Sequence, residues 1–192
     1  MWRVFLAFVG LLAVFGVALV VLDLTGVLVQ ITASDSFSMA PTLPACSGRE
    51  LGESITYRFR NPRRGEIVAI HSRDLVGANI TPDSNEHQAT LTKRVIGVPG
   101  DTVSAEHGYV FVDGKQADSI RTLPFPTVHL GHDQYFVLGD NRSASQDSRV
   151  FGPVPRAAIY ARVMLIFWPL SRLGIPGYDK HASPPGFVCP QR

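Results

Sequence analysis

From Val4 to Leu22 the chain runs nineteen residues without a charged or polar side chain. A helical run of about 20 residues, rising about 1.5 Å per residue, spans the hydrocarbon core of a bilayer. The stretch exceeds the roughly 7–15 apolar residues of a cleaved signal peptide, and no clean A-x-A site follows it. Nothing polar marks an outer face, as a buried amphipathic helix would require. The sequence therefore predicts an uncleaved transmembrane anchor within residues 1–25. Arg3 and the amino terminus precede the run and Asp23 follows it. That charge bias places a short N-terminus in the cytoplasm and the remainder on the outer face of a single-pass membrane protein.

Beyond the anchor the pattern changes to short strands and turns. Residues 66–70, 90–96, 109–112, 134–138 and 161–167 are apolar or β-branched runs bounded by Gly, Pro or Asp. Asp113-Gly114 is a two-residue hairpin signal, because Gly accepts the positive φ that such a turn demands. Segments 71–90 and 115–130 are polar or Pro-containing and read as loops. The expectation is one mostly-β domain over 26–176, followed by an irregular tail over 177–192 that carries Pro184-Pro185-Gly186. A chain of 192 residues is long enough to bury such a core.

Composition excludes several classes. A net charge of +2 argues against a dedicated nucleic-acid binder. Two cysteines are too few for a disulfide scaffold or a thiolate zinc site. Cys46 and Cys189 either form one bridge, which an extracytoplasmic domain permits, or stay unpaired. His129 and His132 form an H-x-x-H pair that lacks the third ligand of a catalytic zinc. The sequence thus predicts no metal and no cofactor. Arg58, Arg60, Arg63 and Arg64 form a basic cluster that reads either as a solvated turn or as a contact for anionic lipid headgroups.

Three segments carry chemistry. Ser36-Phe37-Ser38-Met39-Ala40-Pro41-Thr42-Leu43 sets serines beside a Pro-led turn close after the anchor. Lys93 lies within an apolar, β-branched strand, whereas Lys115 and Lys180 occupy a hairpin turn and the tail. Apolar surroundings disfavour the ammonium form, which lowers the pKa and lets the amine accept a proton. A serine hydroxyl needs such a base to become a nucleophile, and Ser–Lys pairs are one solution. The third segment, Gly139 to Arg149, follows an apolar strand and mixes both charge signs with small polar residues. Such a loop can orient a site built on rigid strands.

These motifs, S-x-S-M-x-P-T-L, K-R-V-I-G-V-P-G-D and G-D-N-R-x-x-S-x-D-S-R, resemble bacterial type I signal peptidase in this order and behind an N-terminal anchor. Gly65-Glu66-Ile67-Val68 is similar to the family's G-D-I-V strand. The likeness spans about residues 34–175. It implies a signal-peptidase-like β catalytic domain with Ser38 as nucleophile and Lys93 as general base. Ser36 and the Ser38 backbone N–H would form the oxyanion hole, and Ser145 would orient the lysine. Met39, Leu43 and Leu91 would wall the substrate pocket. Asp140, Arg142, Asp147 and Arg149 would give structural support. Three features depart from the pattern. Ser143-Ala144 stands where Asp-Asn is usual, Phe37 where a smaller residue is common, and Glu66 where Asp is usual. Lys93 separates the chain from the endoplasmic-reticulum type, which carries His there.

The resemblance implies an endopeptidase that removes signal peptides from exported preproteins after a small-x-small site. Its partners would be those signal peptides and the lipid bilayer, with no nucleic acid and no metal. A specialised maturation peptidase, such as one for conjugative pili, and a non-catalytic membrane-tethered β-domain are the alternatives. Joint presence of Ser38, Lys93 and Ser145 speaks against the second. The anchor, standing in place of a DNA-binding helix-turn-helix, speaks against a self-cleaving repressor.

Overall fold

A computed structural model describes residues 2–24, 28–32, 37–43, 49–75 and 90–177. Ser36, Cys46, Cys189, residues 76–89 of the expected first loop and residues 178–192 of the tail lie outside the described residues. The elements are α1 (Trp2–Leu24), β1 (Leu28–Thr32), β2 (Arg49–Glu53), the one-turn α2 (Thr56–Phe59), β3 (Ile67–His71), β4 (Thr90–Gly97), β5 (Thr102–Glu106), β6 (Tyr109–Val112), β7 (Lys115–Gln116), β8 (Val128–His129), β9 (Gln134–Leu138), the one-turn α3 (Ser148–Phe151), β10 (Val154–Pro155) and β11 (Ile159–Trp168).

The apolar N-terminus forms one continuous helix of 23 residues. Phe5, Leu6, Phe8, Val9, Leu11, Val14 and Val17 on it are exposed. Among the described residues no helix is long and apolar enough to cross a membrane.

Among the described residues the domain holds a seven-stranded antiparallel sheet in the order β1-β2-β11-β3-β4-β9-β10 and a four-stranded sheet in the order β7-β6-β5-β8. β3 explains why the large sheet is covered on both faces. Its four residues Ile67 to Ile70 are all buried, and successive side chains of a strand point to opposite faces. Val68 and Ile70 join Tyr57, Leu75, Val95, Tyr135, Val137 and Ile159 in one cluster. Ile67 and Ala69 join Met39, Leu43, Ala161, Val163 and Ile166 in another. A third cluster, with Ile96, Val103, Val110, Leu130, Phe136 and Leu138, welds the small sheet to the large one.

The link between sheets is polar as well as apolar. β4 is followed by the turn Val98-Pro99-Gly100-Asp101, whose Asp101 carboxylate accepts the Val98 N–H at 2.7 Å and the Arg64 Nε–H at 2.9 Å. Arg64 also reaches Asp113 at 3.1 Å. The hairpin expected at Asp113-Gly114 joins β6 to β7, with φ of 50° and 72° at the two residues. Both positive values belong to the turn type that matches strand twist.

The basic cluster does not act as a unit. Arg60 is bound to Glu66 and Arg64 to Asp101 and Asp113. Of the four, Arg58 and Arg63 are exposed and have no ion pair among the described residues. His129 and His132 likewise separate: Thr102 Oγ1 meets His129 Nδ1 at 2.9 Å, while His132 stands exposed beside Asp133. The second expected loop also contains two short strands, β7 and β8, which complete the small sheet.

Candidate active site

Ser38 is held by a tight turn over 37–43. The Ala40 N–H donates to the Phe37 carbonyl at 3.1 Å and the Leu43 N–H to the Met39 carbonyl at 3.0 Å. Met39 and Leu43 are only 3% exposed and fix the turn to the second cluster. From the other side, the Asn141 N–H donates to the Ser38 carbonyl at 3.0 Å. Thr42 Oγ1 donates to Asp140 Oδ2 at 2.5 Å. The nucleophile expected from sequence is therefore clamped between an apolar floor and the 139–149 loop.

Lys93 comes from β4, where it pairs with Val68 of β3. On the opposite side, Arg94 pairs with Leu138, the last residue of β9. The same register continued by one residue brings Gly139 across from Lys93. A Cβ at Gly139 would overlap Ser145 and the Ser38 carbonyl oxygen. The missing side chain is what lets the serine turn and the lysine meet. Lys93 Nζ donates to Ser38 Oγ at 2.8 Å and to the Thr92 carbonyl at 3.0 Å. Both residues are nearly closed to solvent, Lys93 at 3% and Ser38 at 6% exposure.

That burial governs the protonation chemistry. Desolvation drives the Lys93 pKa down from 10.5 to about 8, against the opposing pull of the Asp147 and Asp140 carboxylates. A lysine of this kind keeps a substantial neutral fraction near neutral pH and can take a proton from an adjacent hydroxyl. The contact serves both states, since the ammonium donates to Oγ and the neutral amine accepts from it.

The 139–149 loop is stitched by buried ion pairs. Arg94 forks onto Asp140, with Nε to Oδ1 at 2.7 Å and Nη2 to Oδ2 at 2.6 Å, and its Nη1 reaches the Gly65 carbonyl at 2.7 Å. Asp140 thereby joins the strand of the base to the turn of the nucleophile through Thr42. Arg142 is bound to the buried Asp118 and donates from Nε to the Gly139 carbonyl at 3.1 Å. Asp147 caps the one-turn α3, accepts the Gly139 N–H at 3.0 Å and is forked by Arg149 at 2.8 Å.

One expected contact is not formed. Ser145 does not hydrogen-bond Lys93; its Oγ lies buried against Gly139 with no hydrogen-bond partner among the described residues. The lysine hydrogens go to Ser38 and to the Thr92 carbonyl instead. Leu91 is half-buried at the rim of the first cluster, and Met39 and Leu43 face the second.

The profile of the family described as signal peptidase, peptidase S26, matches residues 7–168. The chain belongs to this signal peptidase family.

Among its relatives, a probable signal peptidase I-2 of Synechocystis is 42% identical over 145 residues, covering 73% of this chain and 63% of that protein. A signal peptidase I of Leptolyngbya laminosa is 39% identical, covering 72% and 68%. The chain is also similar to a mitochondrial ATP-independent inner membrane protease subunit 1b of Arabidopsis thaliana, at 37% identity over 71% and 69%. A solved signal peptidase I from Enterococcus faecalis aligns at a TM-score of 0.42 and 26% identity, covering 54% of this chain and 97% of that one. The chain thus spans about two thirds of the length of the signal peptidases it matches.

Three residues of this signal peptidase site carry more than sequence reasoning assigned to them. Arg94 and Thr42 tie the base to the nucleophile through Asp140, and Asp118 neutralises Arg142. Arg94 carries the same signal that singles out Lys93, a cation inside an apolar strand. Asp118 has no local signal, since its partner lies 24 residues away.

Proposed function

We propose that this chain is a membrane-anchored serine endopeptidase that cleaves signal peptides from exported preproteins. The observation that carries the reading is the buried 2.8 Å contact between Lys93 Nζ and Ser38 Oγ, in a member of the signal peptidase family. Neutral Lys93 takes the Ser38 proton as Oγ attacks the scissile carbonyl, and it returns that proton to the leaving amine. Water then releases the acyl-enzyme, with the same lysine as base. No cofactor enters these steps.

The oxyanion is assigned to the Ser38 N–H and the Ser36 hydroxyl, where one donor is commonly worth about 3–4 kcal/mol. Ser145, a buried hydroxyl with open hydrogen-bonding capacity beside Gly139, is assigned to position the lysine once substrate binds. Asp140, Arg142, Asp147 and Arg149 support the loop rather than react.

Substrate would add as a strand along β4. β9 stops at Leu138 opposite Arg94, so among the described residues Thr90 to Lys93 have no ladder partner on that side. An extended peptide there would make main-chain hydrogen bonds and point successive side chains to the two faces, toward Leu91 on one and toward Met39 and Leu43 on the other. Helix α1 is assigned as the single membrane anchor, with the N-terminus cytoplasmic and the domain on the outer face. Two features support that reading: its 23 residues rise about 35 Å at 1.5 Å each, against a hydrocarbon core of about 30 Å, and residues 4–22 carry no charged or polar side chain.

The test is incubation of full-length protein with several preproteins and sequencing of the product N-termini. Cleavage after small-x-small sites, lost in Ser38→Ala, is the expected result. An intact preprotein set, with no acylation of Ser38 by a serine-directed inhibitor, would return the chain to a non-catalytic tether. Cleavage of a single narrow substrate class would mark a specialised maturation peptidase.

A further inference from the structure

The one-turn helix α2 presents an exposed outer face. Its inner face is fully used: Tyr57 is buried in the first cluster, and Arg60 is bound to Glu66. On the outside, Phe59 is 83% exposed and Ile55 40% exposed. Flanking them, Arg58 and Arg63 are exposed and make no side-chain hydrogen bond or ion pair among the described residues. The carboxylates next to them in sequence are already paired, Glu53 with Arg162 and Glu66 with Arg60. Exposed apolar side chains flanked by unneutralised cations are the composition of an interfacial membrane contact.

Sheet register gives this knob a position. Leu28 of β1 pairs with Glu53 of β2. Helix α1 ends at Leu24, four residues before Leu28, and Ile55 lies two residues beyond Glu53. With at most about 3.5 Å per residue and about 5.5 Å across the pair, Ile55 is within about 26 Å of the end of α1. The knob therefore stays at the end of the sheet where the chain leaves α1.

We propose that α2 and the turn after it dock the domain on an anionic phospholipid surface, with Phe59 and Ile55 entering the acyl boundary and Arg58 and Arg63 meeting lipid phosphates. The inference rests on α1 being the anchor, which keeps the bilayer within reach. Docking would fix how the domain stands above the membrane.

The experiment uses the full chain in a Trp2→Phe, Trp168→Phe background. Phe59→Trp then places the single indole at the tip of α2, and Phe8→Trp places it within α1. Each variant is reconstituted in vesicles of brominated phosphatidylcholine, with or without brominated phosphatidylglycerol. Fluorescence at position 59 should be quenched in the phosphatidylglycerol vesicles, and quenching should fall in phosphatidylcholine alone and at high salt. Each arginine near an anionic surface shifts the docked population by about fivefold, so Arg58→Gln with Arg63→Gln should lower it by about 30-fold. Absence of quenching at position 59 in the anionic vesicles overturns the proposal, whatever position 8 does. Quenching that ignores lipid charge and both arginines overturns it too. Quenching at 59 without quenching at 8 would remove the anchor and leave docking in place.

Discussion

Gly139 packs directly against Ser145, with the Ser38 carbonyl oxygen pressed on the same spot, so a Cβ at position 139 would overlap both. The obstruction includes backbone, which cannot swing aside as a flexible side chain would. Gly139→Ala must therefore displace the serine turn or the loop. Overpacking costs about 1–3 kcal/mol, and a displacement of about 1 Å at reacting groups costs about 100-fold in rate. Thermal unfolding should show a modest loss of stability, while hydrolysis of a peptide substrate should fall by about two orders of magnitude.

Arg94 and Asp140 make a buried fork whose two side chains are 3% and 2% exposed. Breaking one partner leaves a buried charge uncompensated, which costs about 3–5 kcal/mol. Asp140→Asn should approach that range in urea unfolding. The double change Arg94→Met, Asp140→Leu should recover much of the stability, because neither charge remains. Activity should not return with it, since Thr42 loses the acceptor that tethers the serine turn to the loop. Equal recovery of stability and turnover would show that the pair only fills space.

Ser145 separates structural from catalytic roles. Its Oγ is buried without a hydrogen-bond partner among the described residues, so Ser145→Ala removes an unsatisfied polar atom and should leave stability unchanged or slightly raised. If that hydroxyl engages Lys93 when substrate is bound, kcat should fall at least tenfold with KM little altered. Unchanged kcat would end its assignment as a positioning residue.

Much of this molecule is legible locally. Residues 134–138 are apolar between turn signals, and β9 occupies that span; β3, β4 and β11 differ from their expected runs only at the ends. β2 was not legible, because R-E-L-G-E looks like a polar loop. Its Glu53 is tolerated inside by Arg162, 109 residues away, a tertiary partner no local window contains. The same reason hides the Arg142–Asp118 pair. The Ser38–Lys93 pair was legible because a lysine among β-branched residues contradicts its surroundings. Ser145 was placed near the site by its motif, but its hydrogen bond depends on side-chain directions that spacing does not encode.

Roles within the pair predict a sharp contrast. Ser38→Ala removes the nucleophile, and Lys93→Arg installs a cation that cannot be deprotonated. Each should abolish cleavage. Replacing all six histidines should leave the chemistry largely intact. Substantial activity in Lys93→Arg would end the assignment of the base.

The pH response follows from the burial of that lysine. With its pKa lowered from 10.5 to about 8, Lys93 is about 10% neutral at pH 7, against about 0.03% for an unshifted lysine. On a short peptide, kcat/KM should therefore rise with pH along a limb near 8. A limb near the ~6.5 of an ordinary histidine would assign the proton to a different base. Stability should move in the same direction. Below pH 8 the folded chain holds a buried ammonium that the unfolded chain would solvate, so the charged lysine is destabilising there. Between about 8 and 10.5 the unfolded state still binds the proton that the folded state has released, and stability rises with pH wherever that is so. Complete relief amounts to roughly 3 kcal/mol at about 1.36 kcal/mol per pKa unit. Lys93→Met carries no such proton. Its stability advantage over the parent chain in urea unfolding should shrink steadily from pH 7 to 10, and a constant difference would mean that Lys93 is not the group whose deprotonation shapes the profile.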